Sequence, residues 1–229
     1  DQLDEGYVNY SGVQGSFSFI NIDDLLIPHK GTFFKVKGEF NSKLLGSTFD
    51  FVKSEIQITE HLPLSERVTF SVGGRFGYMK SLNSNINIPI QTRFFSGGGN
   101  TIRGYDHNSI GPEIDGTSIG GEIRGIFNTE LRFPLTLRTT KQFGAVFYDT
   151  GFLEESIDNL GHPEIYSSIG IGYRYLSPIG PIRLDLGLAL KEKREDDKAV
   201  NLEHDSFAIK NLYIEGYKAR LHLSFGFAF

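Results

Sequence analysis

Val68-Thr69-Phe70-Ser71-Val72-Gly73-Gly74-Arg75-Phe76-Gly77-Tyr78 alternates residue by residue. Val68, Phe70, Val72, Gly74, Phe76 and Tyr78 share one face, and Arg67, Thr69, Ser71, Gly73, Arg75 and Gly77 share the other. A period of two throws successive side chains to opposite sides of an extended chain, so the segment reads as a β-strand with one apolar and one polar face. It cannot be buried on both sides, because two arginines on one face need water or partners. Pro181–Lys191 repeats the pattern, with Ile182, Leu184, Leu186, Leu188 and Leu190 against Arg183, Asp185, Gly187 and Ala189. So does the C-terminus, where Leu221, Leu223, Phe225, Phe227 and Phe229 oppose Arg220, His222, Ser224, Gly226 and Ala228.

Six more segments carry the signal: Tyr7–Ile20, Thr32–Asn41, Ser47–Glu60, Gly120–Phe133, Gln142–Phe152 and Ile165–Leu176. The nine segments mostly reach the roughly 9–11 residues that a tilted strand needs to cross a bilayer, and exceed the roughly 5–6 of a soluble strand. The reading is an all-β antiparallel transmembrane barrel. Composition agrees: 20 Phe, 10 Tyr and 27 Gly stand beside one Met and no Trp. Mean hydropathy is only −0.21, as follows when every second strand residue faces a polar lumen. No run of about 18 apolar residues offers a membrane helix. A net charge of −5 argues against a nucleic-acid partner, and without cysteine there is no disulfide framework or thiolate metal site. Nothing divides residues 1–229, which read as a single transmembrane barrel domain with no periplasmic module.

Loop lengths alternate. Asn21–Lys30, His61–Glu66, Pro134–Lys141 and Ser177–Gly180 are short turns, whereas Asn41–Gly46, Ser81–Ile119, Leu153–Glu164 and Glu192–Lys218 lie at the other end. Short turns on one side and long loops on the other are the outer-membrane arrangement, which puts the long loops outside the cell and Phe229 at the periplasmic face.

The longest loop contains Arg93-Phe94-Phe95-Ser96-Gly97-Gly98-Gly99-Asn100-Thr101-Ile102-Arg103-Gly104-Tyr105, then Ile110-Gly111-Pro112. This resembles the RGF/RGY loop of the BamA/TamA outer-membrane assembly superfamily, whose members include two-partner-secretion transporters. Asp23, Asp24, Pro28 and Gly31 resemble its Asp-rich turn. Glu130-Leu131-Arg132-Phe133 and Phe147-Tyr148-Asp149-Thr150-Gly151 resemble the two strands after the loop. Ser177–Arg183 resembles the penultimate hairpin, and Leu221, Leu223, Phe225, Phe227 and Phe229 its C-terminal targeting strand. The resemblance implies a sixteen-stranded barrel whose loop folds into the lumen, with Arg103, Gly104 and Tyr105 as its motif and Glu130 and Asp149 as acidic partners of Arg103. Periodicity alone turns Glu130 inward, since it shares a face with Glu122, Arg124, Asn128 and Arg132. Asp149 sits in a segment apolar on both faces, which leaves its direction open. Only nine strands are readable, so the chain is either part of the sixteen-stranded barrel or a reduced barrel of eight to ten strands.

Other chemistry is thin. Gly97-Gly98-Gly99 lacks the lysine and helix of a phosphate loop. The histidines His29, His61, His107, His162, His204 and His222 have no metal-ligand spacing, and Glu154-Glu155 reads as solvated loop. The implied function is a non-enzymatic outer-membrane barrel of bacterial type that assists insertion or translocation of polypeptides. Its partners are the lipid bilayer, client polypeptides, and assembly-machinery lipoproteins or a second copy; no metal or other cofactor is implied. The alternatives are a membrane anchor or export pore for a separate domain, and a soluble β-sandwich binding module.

Overall fold

The computed structural model describes residues 9–83, 88–136, 141–178, 180–191, 212–214 and 217–225. The first four long strands are β1 (Gly12–Ile22), β2 (Gly31–Asn41), β3 (Phe51–Pro63) and β4 (Thr69–Ser81). A long loop follows, carrying the small hairpin β5 (Glu113–Ile114) and β6 (Thr117–Ser118). Then come β7 (Ile123–Pro134), β8 (Gln142–Glu154), β9 (Tyr166–Ser177) and β10 (Gly180–Ala189), and finally the short β11 (Leu212–Ile214) and β12 (Tyr217–Phe225). The nine long strands form one antiparallel sheet in the order β1-β2-β3-β4-β7-β8-β9-β10-β12, with β11 on the far edge of β12. The sheet is not closed: among the described residues the outer edge of β1 has no partner strand. Each strand reverses its predecessor, so β1 and β12 run in the same direction.

The alternation read from sequence is the alternation of the two faces, and the usual burial is inverted. Phe17 is 64% exposed and Ile171 60%, while Glu130 and Asp149 on the opposite face are 2% and 0% exposed. Phe76, Phe127, Val146 and Leu223 extend the bare apolar band from strand to strand. A soluble protein rarely shows an apolar patch beyond a few hundred Å², so a band covering a whole sheet face belongs against lipid. The soluble-sandwich alternative fails here, because no second sheet covers that face among the described residues.

Strand ends differ from the sequence reading where local turns intervene. The third strand starts at Phe51 rather than Ser47, because Lys43–Leu45 forms a 3-10 turn. The Ser42 side chain caps that turn, and Asp50 accepts from the Lys43 N–H at 2.6 Å. β12 already begins at Tyr217, inside the stretch read as loop, while Phe227 and Phe229 lie outside the described residues. The first strand begins at Gly12. Between β1 and β2 the Asp-rich turn is a cage of backbone donors: the Asp23 carboxylate accepts from the N–H groups of Asp24, His29 and Lys30 at 2.9–3.0 Å. Burial works against the charge of Asp23, but these backbone bonds outweigh it and hold the carboxyl below its usual range.

Candidate functional site

The β4–β7 loop lies on the inner face of the sheet. It first pairs with itself: Phe94 and Gly121 exchange backbone bonds at 2.9 Å each, and Ile110 N–H donates to the Ser96 carbonyl at 3.0 Å. Its apolar residues Phe94, Ile102, Tyr105 and Ile110 are buried against Phe51, Met79, Leu153, Tyr166 and Ala189. Those wall residues all stand at the long-loop ends of β3, β4, β8, β9 and β10, so that end of the lumen holds a hydrophobic core of its own.

Below this core Arg103, 3% exposed, reaches the wall. Its Nε and Nη2 donate to the two oxygens of Asp149 at 2.7 and 2.8 Å, and its backbone N–H adds a bond to Oδ2 at 3.0 Å. Nη1 donates to Glu130 Oε2 at 2.8 Å. Asn128 Nδ2 also reaches Asp149 Oδ1, at 2.9 Å. Asp149 thereby accepts four bonds, the full capacity of a carboxylate. The guanidinium carbon lies 3.5 Å from the centroid of the Phe147 ring, a stacked cation–π contact. Three residues beyond the sequence-derived set complete the cluster. Arg174 bonds Glu130 at 2.7 Å and Asp185 at 2.6 Å, and Arg183 lies 3.3 Å from Asp185. Three arginines against three acids leave the cluster neutral, which is what makes so much buried charge tolerable.

The next two motif residues act through the backbone and a hydroxyl. Gly104 has φ 92°, and a Cβ there would sit 3.1 Å from the backbone of β10 at Gly187, Leu188 and Ala189. Gly187 is the matching hollow, since a Cβ on it would come within 2.5 Å of the Gly104 nitrogen. Loop backbone lies directly on strand backbone. The Tyr105 hydroxyl sits 3.0 and 3.1 Å from the carbonyls of Ser167 and Lys191, and its ring meets Tyr166 edge-on at 5.6 Å. Elsewhere the wall donates to loop carbonyls: Lys53 to Thr92, Arg75 to Asn100, Arg124 to Phe95 and Arg183 to Gly99, at 2.5–3.2 Å. Arg124 also pairs with Glu55. The acids of this cluster are engaged by guanidinium groups, so the arrangement fixes a loop rather than moving a proton.

The structure thus brings Arg103, Glu130 and Asp149 together and lays Gly104 and Tyr105 beside them. Leu221 and Leu223 are on the lipid side of β12, away from this site, and nothing is described of the Phe225 side chain. Arg183 and Asp185 carried a usable signal, since they alternate onto the inner face of their strand as Glu130 does. Arg174 carried it too, sharing a face with Ser168, Gly170 and Gly172 opposite Ile169, Ile171, Tyr173 and Tyr175; the Gly104–Gly187 fit had none.

The sequence model of the Omp85 superfamily domain matches residues 2–229. The chain is 29% identical over 175 residues to the outer membrane protein assembly factor BamA of Nitratidesulfovibrio vulgaris, covering 75% of this chain and 22% of that protein. It is 30% identical over 190 residues to a SAM50-like protein of Schizosaccharomyces pombe, covering 76% of this chain and 39% of that one. The crystal structure of BamA from Haemophilus ducreyi lacking POTRA domains 1–3 superposes with a TM-score of 0.70 at 19% identity, over 80% of this chain and 40% of that one. The chain therefore spans between about a fifth and two fifths of these proteins. The bacterial relatives are outer-membrane proteins, and the lipid-facing sheet fits that compartment. The match runs over nearly the whole chain and includes the loop just described, and on it this protein belongs to the Omp85 superfamily.

Proposed function

We propose that this chain is the C-terminal barrel portion of a factor that inserts or translocates polypeptides at the outer membrane, and that it works at the edge of its sheet. The observation that carries the reading is the filled inner wall. From β7 to β12 the lumen face is occupied by the buried loop, whereas the outer edge of β12 pairs, among the described residues, with the short β11 opposite Tyr217–Ala219. An unpaired edge is a template for an incoming strand, and in lipid its N–H and C=O groups have no water to satisfy them. The relative named as an outer membrane protein assembly factor supports this over an anchor or export pore for a separate domain.

Reconstitution tests it. The full-length gene product in liposomes should speed the folding of an unfolded outer-membrane barrel client. A client cysteine should cross-link to cysteines placed at Leu221 or Leu223, and not to cysteines on β8. Equal cross-linking along both strands, or no acceleration, would remove the proposal.

A further inference from the structure

The bilayer-facing side of the sheet is not evenly filled. Two neighbouring cross-strand rows at its centre enclose a hollow. One row joins Ile58, Gly74, Phe127 and Thr150 across β3, β4, β7 and β8, and the next joins Ile56, Phe76, Gly125 and Phe152 across the same strands. Each row contains one glycine, and the two are covered differently. The Phe152 ring lies across Gly125, where an added Cβ would run into it, so an aromatic side chain fills the space above that strand glycine. Nothing fills the space above Gly74: a Cβ there would touch only Ile58 Cγ2, at 3.7 Å. Gly74 is thus the floor of a hollow of about 470 Å³, walled by Ile56, Ile58, Phe76, Phe127 and Phe152. A cavity of roughly 150 Å³ lined by Leu, Ile and Phe stays dry and binds benzene, so there is room here for a stretch of hydrocarbon.

The chemistry of the wall selects the occupant. Arg75 and Thr150 are the polar residues of the lining. Arg75 sends its guanidinium to the inner face, onto the Asn100 carbonyl. The Thr150 hydroxyl donates to the Tyr166 carbonyl at 3.2 Å and lies 2.8 Å from Ser167 Oγ, so its one proton is already used. A peptide backbone or a lipid headgroup placed here would give up its hydration and find no donor in return. A hydrocarbon chain has no such loss, and it restores the dispersion contacts that an empty hollow forfeits. The face already lies against lipid, so acyl chains reach Gly74 without any opening of the sheet. Each strand beneath the hollow is hydrogen-bonded on both sides, so the floor is rigid. We propose that the hollow over Gly74 is a seat for one acyl chain of a membrane lipid, held more closely than the lipid along the rest of the apolar band.

The test is photolabelling of the full-length protein in phosphatidylcholine nanodiscs doped with a phosphatidylcholine that carries a diazirine midway along one acyl chain. Adducts are mapped by mass spectrometry of peptides. Labelling at Phe76 and Phe127 should exceed that at Ile169 and Ile171, which are at least as exposed on the same face of β9. The excess should be about fourfold or more, the preference that one buried methylene corresponds to. Gly74→Leu fills the hollow and should bring Phe76 and Phe127 down to the β9 level, with β9 labelling unchanged. Gly74→Ala should fall between. Even labelling in the wild type, or an excess that survives Gly74→Leu, would overturn the seat. So would a photoreactive residue at Phe127 that, in native membranes, captures another polypeptide or a second copy of this chain in place of lipid.

Discussion

Two stretches of the inner wall, β8 and β2, are built on opposite rules. On β8 the inward residues Ala145, Phe147, Asp149, Gly151 and Leu153 are all buried. On β2 the inward Lys35, Lys37 and Glu39 are only half-buried. Lys37 stands opposite Glu55 and Glu39 opposite Lys53, beside a polar cavity of about 270 Å³, room for several waters. The difference is what each wall faces. β8 is apolar on both sides because one side meets lipid and the other meets the loop; β2 is polar within because it faces that cavity. A barrel strand that breaks the lipid-out, water-in alternation marks the place where protein fills the lumen.

The first way to break this comparison is to remove the loop's arginine. Arg103→Ala leaves Asp149 buried without its main partner and Glu130 with Arg174 alone, and should cost on the order of 3–5 kcal/mol, read as earlier unfolding on heating in semi-native electrophoresis. Arg103→Lys should recover only part, because an ammonium cannot serve both carboxylates in the same planar geometry. Next is the apolar layer: Ile102→Ala empties a site that is 0% exposed and should cost about 2–5 kcal/mol by the same assay. Gly187→Ala pushes a methyl into the Gly104 backbone, with an expected cost of about 1–3 kcal/mol and faster exchange of the loop amides. On the bare wall, Lys37→Ala should change stability by no more than about 0.5 kcal/mol. A loss there as large as at Arg103 would erase the distinction.

The smallest effect concerns pH at the turn that closes β1 and β2. The Asp23 carboxyl is depressed by the backbone bonds it accepts, so its contribution is fully present above the ordinary aspartate pKa of about 3.9. It is lost as pH falls through the lower folded value. Exchange protection of residues 23–31, corrected for the intrinsic rate, should hold at pH 5 and fall only once the pH is below the ordinary aspartate value of about 3.9. Protection that falls between pH 7 and 5 would contradict this.

All nine long strands were legible, because lipid on one side and lumen on the other impose a period of two over nine residues or more. The turn at Lys43–Leu45 and the start of β12 were not, since side-chain caps and a pairing register leave no periodic trace. Glu130 was readable as inward from Arg124, Asn128 and Arg132 on its own face. Asp149 was not, for the reason that now explains β8: its neighbours are apolar because the loop covers them. Its meeting with Arg103 came from the family resemblance and not from pattern. Asp115-Gly116, with φ 51° and 72°, suits the tight turn of the β5–β6 hairpin, a two-residue signal hidden in a long loop.

The central claim is that the loop is fastened to the inner wall while the work is done at the edge. Thr101→Cys with Asn128→Cys tests it most directly, in a chain that has no cysteine of its own and where the Asn128 amide donates to the Thr101 carbonyl at 2.7 Å. Oxidation in intact membranes should link the pair nearly completely, and the linked protein should still fold clients at the wild-type rate. An unlinked pair whose residue 101 is labelled by a membrane-impermeant thiol reagent, or a linked protein that no longer folds clients, would contradict the account.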